Sequence, residues 1–436
     1  MSMASSGAAA PAVAPLVART VELRGSLGDS ALLSYLPREH GLAWIRHGEG
    51  LVGWGEMARI ETSGRNRFAD AANWWRALSG QAIVRDEVDL PGTGPIAFGT
   101  FAFADHSDAV STLVVPEVIL GRKGNVTWIT TIGTTTQLAG GLDLAEHEVA
   151  PVQRPGRVEF RPGAVAPAEW KEKVSTAVAR IETGEIDKVV LARDVIARTE
   201  NEVDPRWILE QLADEYPTCW TFFVRGMIGA TPEMLLRSEK GLVTSRVLAG
   251  TIQRTGDDEA DLAHAATLAR SSKDLEEHEY SVRSVADVLA PVCDSMNVPD
   301  APFVLHLPNV MHLASDVTGV LRADTPGTSS LELAEALHPS AAVCGTPTPL
   351  ADDAIAEIEG MDRDRYAGPV GWIDGSGDGE WGIALRSAVL DDKEPHVVRL
   401  FAGCGIVAAS DPQTELAESE AKLQPMRQAL SPHGII

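Results

Sequence analysis

The sequence predicts an α+β fold with mainly antiparallel strand pairing, and three observations predict it. Strand signals come in adjacent runs joined by glycine-containing turns. Helices with readable caps stand among them without strict β-α-β alternation. No glycine-rich segment has the strand-to-helix context of a dinucleotide site.

In chain order, residues 1–20 carry small apolar side chains with no basic stretch ahead of them, so they read as a disordered tail rather than a secretory signal. Residues 21–160 form a β-rich N-terminal subregion. GLAWIRHGEGLVGWGEMARIE mixes aromatic and β-branched residues with glycine, and TWITTIGTTTQL alternates as a half-buried strand does. Phe68, Ala71, Trp75 and Leu78 recur at helical spacing and mark one helix among these strands. The stretch 146–162, with Pro151, Pro155 and Pro162, reads as a linker.

The remaining region, 165–432, opens with a helix that carries Trp170, Val174, Val178 and Ile181 on one face and stops at Gly184. DKVVLAR begins a strand, and Asp204-Pro205 supplies an N-cap and a first helical residue for the next helix. CWTFFVRG, GATPEMLLRSE and GLVTSRVLAGTIQR read as three successive strands. One long helix is expected over 257–289, with shorter ones over 331–337 and 350–360. VGWIDGSGDGEWGIALRSAVL is a hairpin signal with its tip at Gly375–Gly379, and Asp411-Pro412 opens a last helix that runs to about Leu430.

Composition excludes several function classes. The 436 residues carry 37 Lys and Arg against 62 Asp and Glu, a net charge of −25. Such a chain lacks the basic field that a general nucleic-acid or anionic-membrane binder needs, so any anionic ligand must be met by local positive groups. No apolar run approaches the roughly 20 residues that span a bilayer. Cys219, Cys293, Cys344 and Cys404 are far apart and form no C-x-x-C pair, which indicates neither zinc nor disulfides and fits a reduced cytoplasm. The phosphate-loop, zinc-protease and serine-hydrolase motifs are all missing.

Several residues could carry chemistry. Glu415, Glu418 and Lys422 share one face of the last helix, and Asp274 and Glu277 share a face within SSKDLEEHEYSV. Each cluster alone reads as a solvated helix face. Together, carboxylates from two helices suit a hard cation that keeps waters and also meets an anionic substrate. Lys188 heads an apolar strand, where it is either an edge residue or a base facing a pocket. Glu233 sits between Pro232 and three apolar residues, surroundings able to raise its pKa into the range of a general acid. Arg386 lies in GIALRSA, a strand otherwise suited to burial, and a buried arginine requires an anionic partner. AGCGIV would expose backbone N–H groups to a close ligand. His338, in LHPSAAVCGTP, is either a pocket group or a helix-ending cap.

The ordered series DKVVLAR, GATPEMLL, SRVLAGTIQR, SSKDLEEHE, LHPSAAVCGTP, GPVGWID, GIALRSA and AGCGIVAASDPQTELAESEAK resembles the chorismate-utilising enzymes, the family of anthranilate synthase component I. The likeness is greatest to its isochorismate synthases and spans Trp170 to Leu430 in unbroken order; FGTFAFADHSDAVSTLVVPEVIL extends it more loosely into the N-terminal part. The resemblance implies one large unit of two stacked, mainly antiparallel sheets flanked by helices, with 165–432 as the chorismate-binding catalytic region. It implies that Lys188 activates water for attack at C2 of chorismate while Glu233 protonates the departing C4 hydroxyl. Glu277 and Glu418 then correspond to Mg2+ ligands, and Asp274 and Glu415 to acidic groups acting on metal-bound waters; at the first of these the family often has Glu in place of Asp. Gly250, Thr251, Ala342, Arg386, Gly403 and Lys422 correspond to substrate-contact positions, and His338 to a position lining the pocket. For Lys188 to accept a proton, burial or nearby cations must hold it as the free amine.

The same resemblance implies a cytoplasmic monomer acting on chorismate, with no nucleic acid, membrane or glutaminase partner. The ammonia-using relatives tend to carry Pro-Ser-Pro-Tyr-like or Pro-Ile-Lys-like segments that this chain lacks, and a lysine at position 188 goes with water as nucleophile. Salicylate synthase, which uses the same groups and then eliminates pyruvate, is the alternative that Tyr366 in DRYAGPVGW keeps open.

Overall fold

A computed structural model describes residues 15–23, 32–135, 144, 147, 149–323, 328–391 and 393–431. Two β-sheets dominate the described residues, one of 13 strands and one of 10, and every neighbouring pair is antiparallel except Leu16–Glu22 with Ile83–Asp86. The α+β expectation holds. Strands from the two sequence regions are interleaved: Leu42–Arg46 pairs with Trp220–Val224 in the larger sheet, and Ile96–Thr100 pairs with Pro369–Asp374 in the smaller.

Successive strand residues point to opposite faces, and the core follows that alternation. Trp44 and Phe222 of the larger sheet share one buried cluster with Phe98 and Trp381 of the smaller. Phe223 turns the other way, into a second cluster with Leu209 and Leu212 of helix Pro205–Glu215 and Leu423 and Met426 of helix Pro412–Leu430. These helices thus cover the outer face of the larger sheet.

Helix ends with a local signal form where expected. Asp204 accepts from the Arg206 amide and Asp411 from those of Gln413 and Thr414, each with proline at the first helical position. Arg67–Ser79 and Pro167–Glu182 are helical, as are Ser330–Leu337 and Thr348–Ile358.

Four boundaries depart from the sequence reading. The first strand begins at Leu16, inside the stretch expected to be tail, because it pairs along its length with Val126–Thr134; residues 1–14 lie outside the described residues. The stretch expected as a linker ends in Val158–Pro162, an edge strand on Lys188–Thr199. The helix expected over 257–289 is two helices, Asp258–Leu268 and Ser272–Leu289, because the Ser271 hydroxyl accepts from the Asp274 amide and starts a new N-terminus. The end of TWITTIGTTTQL, 136–138, lies outside the described residues.

The fourth departure positions the site. GATPEMLLRSE is two strands in different sheets: Met227–Thr231 belongs to the larger and Met234–Glu239 to the smaller. The segment after the Gly375–Gly379 tip divides likewise into Gly379–Ile383 in the smaller sheet and Ser387–Leu390 in the larger. Glu233 and Arg386 therefore stand at two crossings between sheets, not inside strands. The crossings lie side by side, since the Ile383 amide donates to Glu233 O and the Ala230 amide to Arg386 O, both at 3.2 Å. Arg386 has φ 49°, a left-handed conformation costly for a residue with a side chain, so the crossing holds its backbone against local preference.

Candidate active site

A pocket opens at these crossings. It is lined by Glu233 and Arg386 from the seam, Gly250, Thr251 and His312 from the smaller sheet, and Gly403, Cys404 and Gly405 from the larger. Glu277 of helix Ser272–Leu289, Lys422 of the last helix and Ala342 complete the groups that matter here.

Lys188, at the head of its strand, is fully buried and does not itself line the pocket. Its Nζ is 3.2 Å from Glu277 Oε1 and donates to Ser281 Oγ at 3.3 Å. Of the two surroundings expected for it, burial is present, and the charge beside it is the Glu277 carboxylate. Gly405 lets this pair form: a Cβ there would stand 2.3 Å from Glu277 Oε1 and 3.1 Å from Lys188 Cε.

Glu233 is buried, and Leu248 N donates to its Oε1 at 3.4 Å. Burial pushes the carboxyl up to about 8, against the opposing pull of that amide and of Lys188, Lys422 and Arg386. At neutral pH Glu233 carries a proton that it can give away. Lys422 bonds to Glu418 Oε1 at 2.6 Å and to Gly403 O at 3.1 Å. Burial alone would lower its pKa, but the Glu418 carboxylate outweighs this and holds the ammonium charged. Arg386 is buried with Nη1 unpartnered, a donor that a ligand carboxylate can satisfy. Two cations, Arg386 and Lys422, thus line one pocket in a chain of net charge −25.

Glu277 from one acidic cluster and Glu415 and Glu418 from the other approach the strand Val397–Ile406, with Glu277 abutting Gly405. The ligand atoms that lie within 4.8 Å of one another among the described residues are those of Cys404, Glu415 and Glu418, without Glu277. Asp274 packs against Gly250, whose φ of 77° and missing Cβ permit that approach. The donors are chiefly carboxylate oxygens, which suits a hard divalent ion. Cys404 is the odd member: burial holds its thiol protonated, and Sγ bonds to Glu415 O at 3.3 Å, so it offers no thiolate.

His338 is not in this pocket. Its Nε2 bonds to Phe103 O at 2.8 Å and its ring meets Phe103 edge-on, so the hydrophobic packing around Phe68 and Phe103 claims it. Burial pushes it down to about 3, as a neutral core histidine. His312 was not singled out from the sequence, yet it lines the pocket and bonds to Arg386. A signal exists in VMHLAS, where a lone histidine interrupts a strand that is otherwise buried. Tyr366 also lines the pocket, stacked on Phe401 with ring centres 5.2 Å apart.

A family model described as chorismate binding enzyme matches residues 39–431. The chain belongs to the chorismate-binding enzymes. Among known proteins it is similar to isochorismate synthase DhbC of Bacillus subtilis, 34% identical over 375 residues that cover 83% of this chain and 88% of that one. It is also similar to the salicylate biosynthesis isochorismate synthase of Pseudomonas aeruginosa, 34% identical over 90% of this chain and 85% of the relative. Among solved structures, that of a 2,3-dihydroxybenzoate-specific isochorismate synthase, DhbC from Bacillus anthracis, superposes with a TM-score of 0.75 at 32% identity, covering 92% of this chain and 98% of that one. The two-sheet architecture is therefore that of other chorismate-binding enzymes. Among the described residues no helix is long and apolar enough to cross a membrane.

Proposed function

We propose that this chorismate-binding enzyme converts chorismate to isochorismate. The observation that carries the reading is a carboxyl protonated at neutral pH, Glu233, lining one pocket with the cations Arg386 and Lys422 and with Glu277, the carboxylate that the buried Lys188 pairs with. Hydroxide is a poor leaving group and water a poor nucleophile, so the exchange of a ring hydroxyl needs a proton donor and an acceptor together. Glu233 gives its proton to the departing C4 hydroxyl, and Lys188 takes one from the water that adds at C2. Both ring double bonds shift between the two carbons, and no atoms are lost overall. Arg386 and Lys422 hold the carboxylates of the substrate, with backbone groups at Gly250 and Gly403, the Thr251 hydroxyl and Ala342 shaping the rest of the pocket.

Carboxylate donors suit Mg2+: in this reading Glu277 and Glu418 would hold it and Asp274 and Glu415 would act on its waters, and the ion would offset the charge of the ring carboxylate. Lys188 and Lys422 engage Glu277 and Glu418 in the present arrangement. The proposal includes action as a cytoplasmic monomer without a glutaminase, with the product feeding menaquinone or siderophore synthesis.

The test is incubation with chorismate and Mg2+, chromatography of the products and a pyruvate assay on the same sample. Isochorismate approaching an equilibrium without pyruvate supports the proposal. Stoichiometric pyruvate with salicylate replaces it by the second reading, salicylate synthase, which Tyr366 in the pocket wall keeps open. Unconsumed chorismate refutes both.

A further inference from the structure

His312 takes no part in the chemistry above, yet its position is tightly specified. It stands opposite Thr251 in the register of strands Leu242–Gln253 and Val310–Leu321, beside the irregularity between Ala249 and Thr251 that contains Gly250. The ring is buried, with Nε2 2.9 Å from Arg386 Nη2. On its other side Nδ1 is 3.1 Å from Thr251 Oγ1 and 3.2 Å from Gly250 O.

These contacts determine where the ring proton is. A guanidinium has only N–H donors, so Nε2 must present its lone pair to Arg386. The single proton of the neutral ring then lies on Nδ1, where the Gly250 carbonyl, which can only accept, receives it. The Thr251 hydroxyl oxygen accepts from the same N–H, and its own proton is left to turn elsewhere. An imidazolium would set one N–H against another at Arg386, so the ring must be neutral. Burial, and then the charges of Arg386 and Lys422, act in the same direction.

We propose that His312 is a positioning residue that aims one donor, Arg386 Nη1, at the ligand. Arg386 leaves the backbone at a strained crossing on a long flexible stem. Its Nη2 is held by His312, while Nη1 is buried without a protein partner. Fixing one end of the planar fork fixes the direction of the other. The neutral acceptor does this without cancelling the charge, as a carboxylate at the same place would. The ligand carboxylate thus meets an undiminished cation already oriented for it. This inference rests on the reading that the pocket takes chorismate.

The test is steady-state kinetics with chorismate on His312→Leu, His312→Gln, Arg386→Gln and the double variant His312→Leu/Arg386→Gln. Removing the acceptor with leucine is expected to raise KM about 10–100-fold with a smaller change in kcat, as loss of a preorganised charged contact should. Glutamine, whose side-chain oxygen can accept from Arg386, should recover most of that loss. In the Arg386→Gln background the leucine substitution should alter KM by less than about twofold, because the group it positions is gone. Independent costs that multiply in the double variant, or a leucine variant with unchanged KM, overturn the inference. A wild-type protein that leaves chorismate untouched refutes the reading of the pocket instead. Nitrogen NMR of the labelled histidines in the unaltered protein supplies a check that needs no variant and no turnover. A neutral ring protonated at Nδ1 supports the assignment; an imidazolium or an Nε2–H ring at neutral pH overturns it.

Discussion

Replacing Glu233 with glutamine is expected to stabilise the protein and silence the site, both for one reason. Burial lifts this carboxyl from its ordinary 4.5 to about 8, so the folded chain keeps a proton that the unfolded chain releases between those values. Where the folded state binds more protons than the unfolded one, stability falls as pH rises. The fall begins near the unfolded value and levels off above the folded one. Across the whole interval it is worth roughly 5 kcal/mol, of which about 3 kcal/mol is already lost at pH 7. Glutamine has the same shape and no charge at any pH, so the variant escapes that cost. Denaturant unfolding at pH 5, 7 and 9 should show little difference between the two proteins at the lowest pH and a widening advantage for Glu233→Gln above it. The variant also lacks the proton donor, so its turnover should drop about 10²–10⁴-fold. In the wild type, turnover should decline as pH rises through 8, when the donor loses its proton. A stability difference that stays flat with pH, or a variant that keeps its turnover, would refute the argument.

Three further outcomes are expected. Lys188→Ala should abolish turnover while chorismate still raises the melting temperature, measured by thermal shift; normal activity would count against its role as proton acceptor. Glu418→Gln should sharply raise the Mg2+ concentration needed for half-maximal rate, and an unaltered metal titration would remove it from the ligand set. Gly405→Ala should inactivate without unfolding, since its Cβ would displace Glu277 Oε1 and crowd Lys188 Cε; a rate near that of the wild type, with circular dichroism unchanged, would show that their pairing is dispensable.

What the sequence makes legible is whatever has a local cause. Asp411-Pro412 and Asp204-Pro205 start helices because the cap and the first residue are adjacent in the chain. Glu233 could be suspected as an acid because apolar neighbours surround it in the sequence as in the fold. The sheet crossings at Glu233 and Arg386 were not readable, since the hydrophobic pattern runs unbroken through both while the hydrogen-bond partners change. His338 and His312 show the same limit from two sides. Each histidine is assigned by what lies opposite it in space, Phe103 for one and Arg386 for the other, and both partners are distant in sequence. The helix break at Ser271 was readable in principle, because the serine lies three residues before Asp274, but continuous helical periodicity masked it.

The interleaving of strands also bears on how the chain is made. Phe98 pairs with Trp372, about 270 residues later in the sequence. On the ribosome, strand Ile96–Thr100 emerges long before its neighbour Pro369–Asp374, and Leu42–Arg46 likewise precedes Trp220–Val224. Through most of translation the first-made third of the molecule therefore presents unsatisfied sheet edges. Such edges invite pairing with other nascent chains, and closure over so long a loop is slow. The yield of folded enzyme should accordingly depend on chaperone supply and expression rate more than on the stability of the finished fold. Cutting the chain within 146–162 would produce two open-edged fragments, each lacking strands that the other holds.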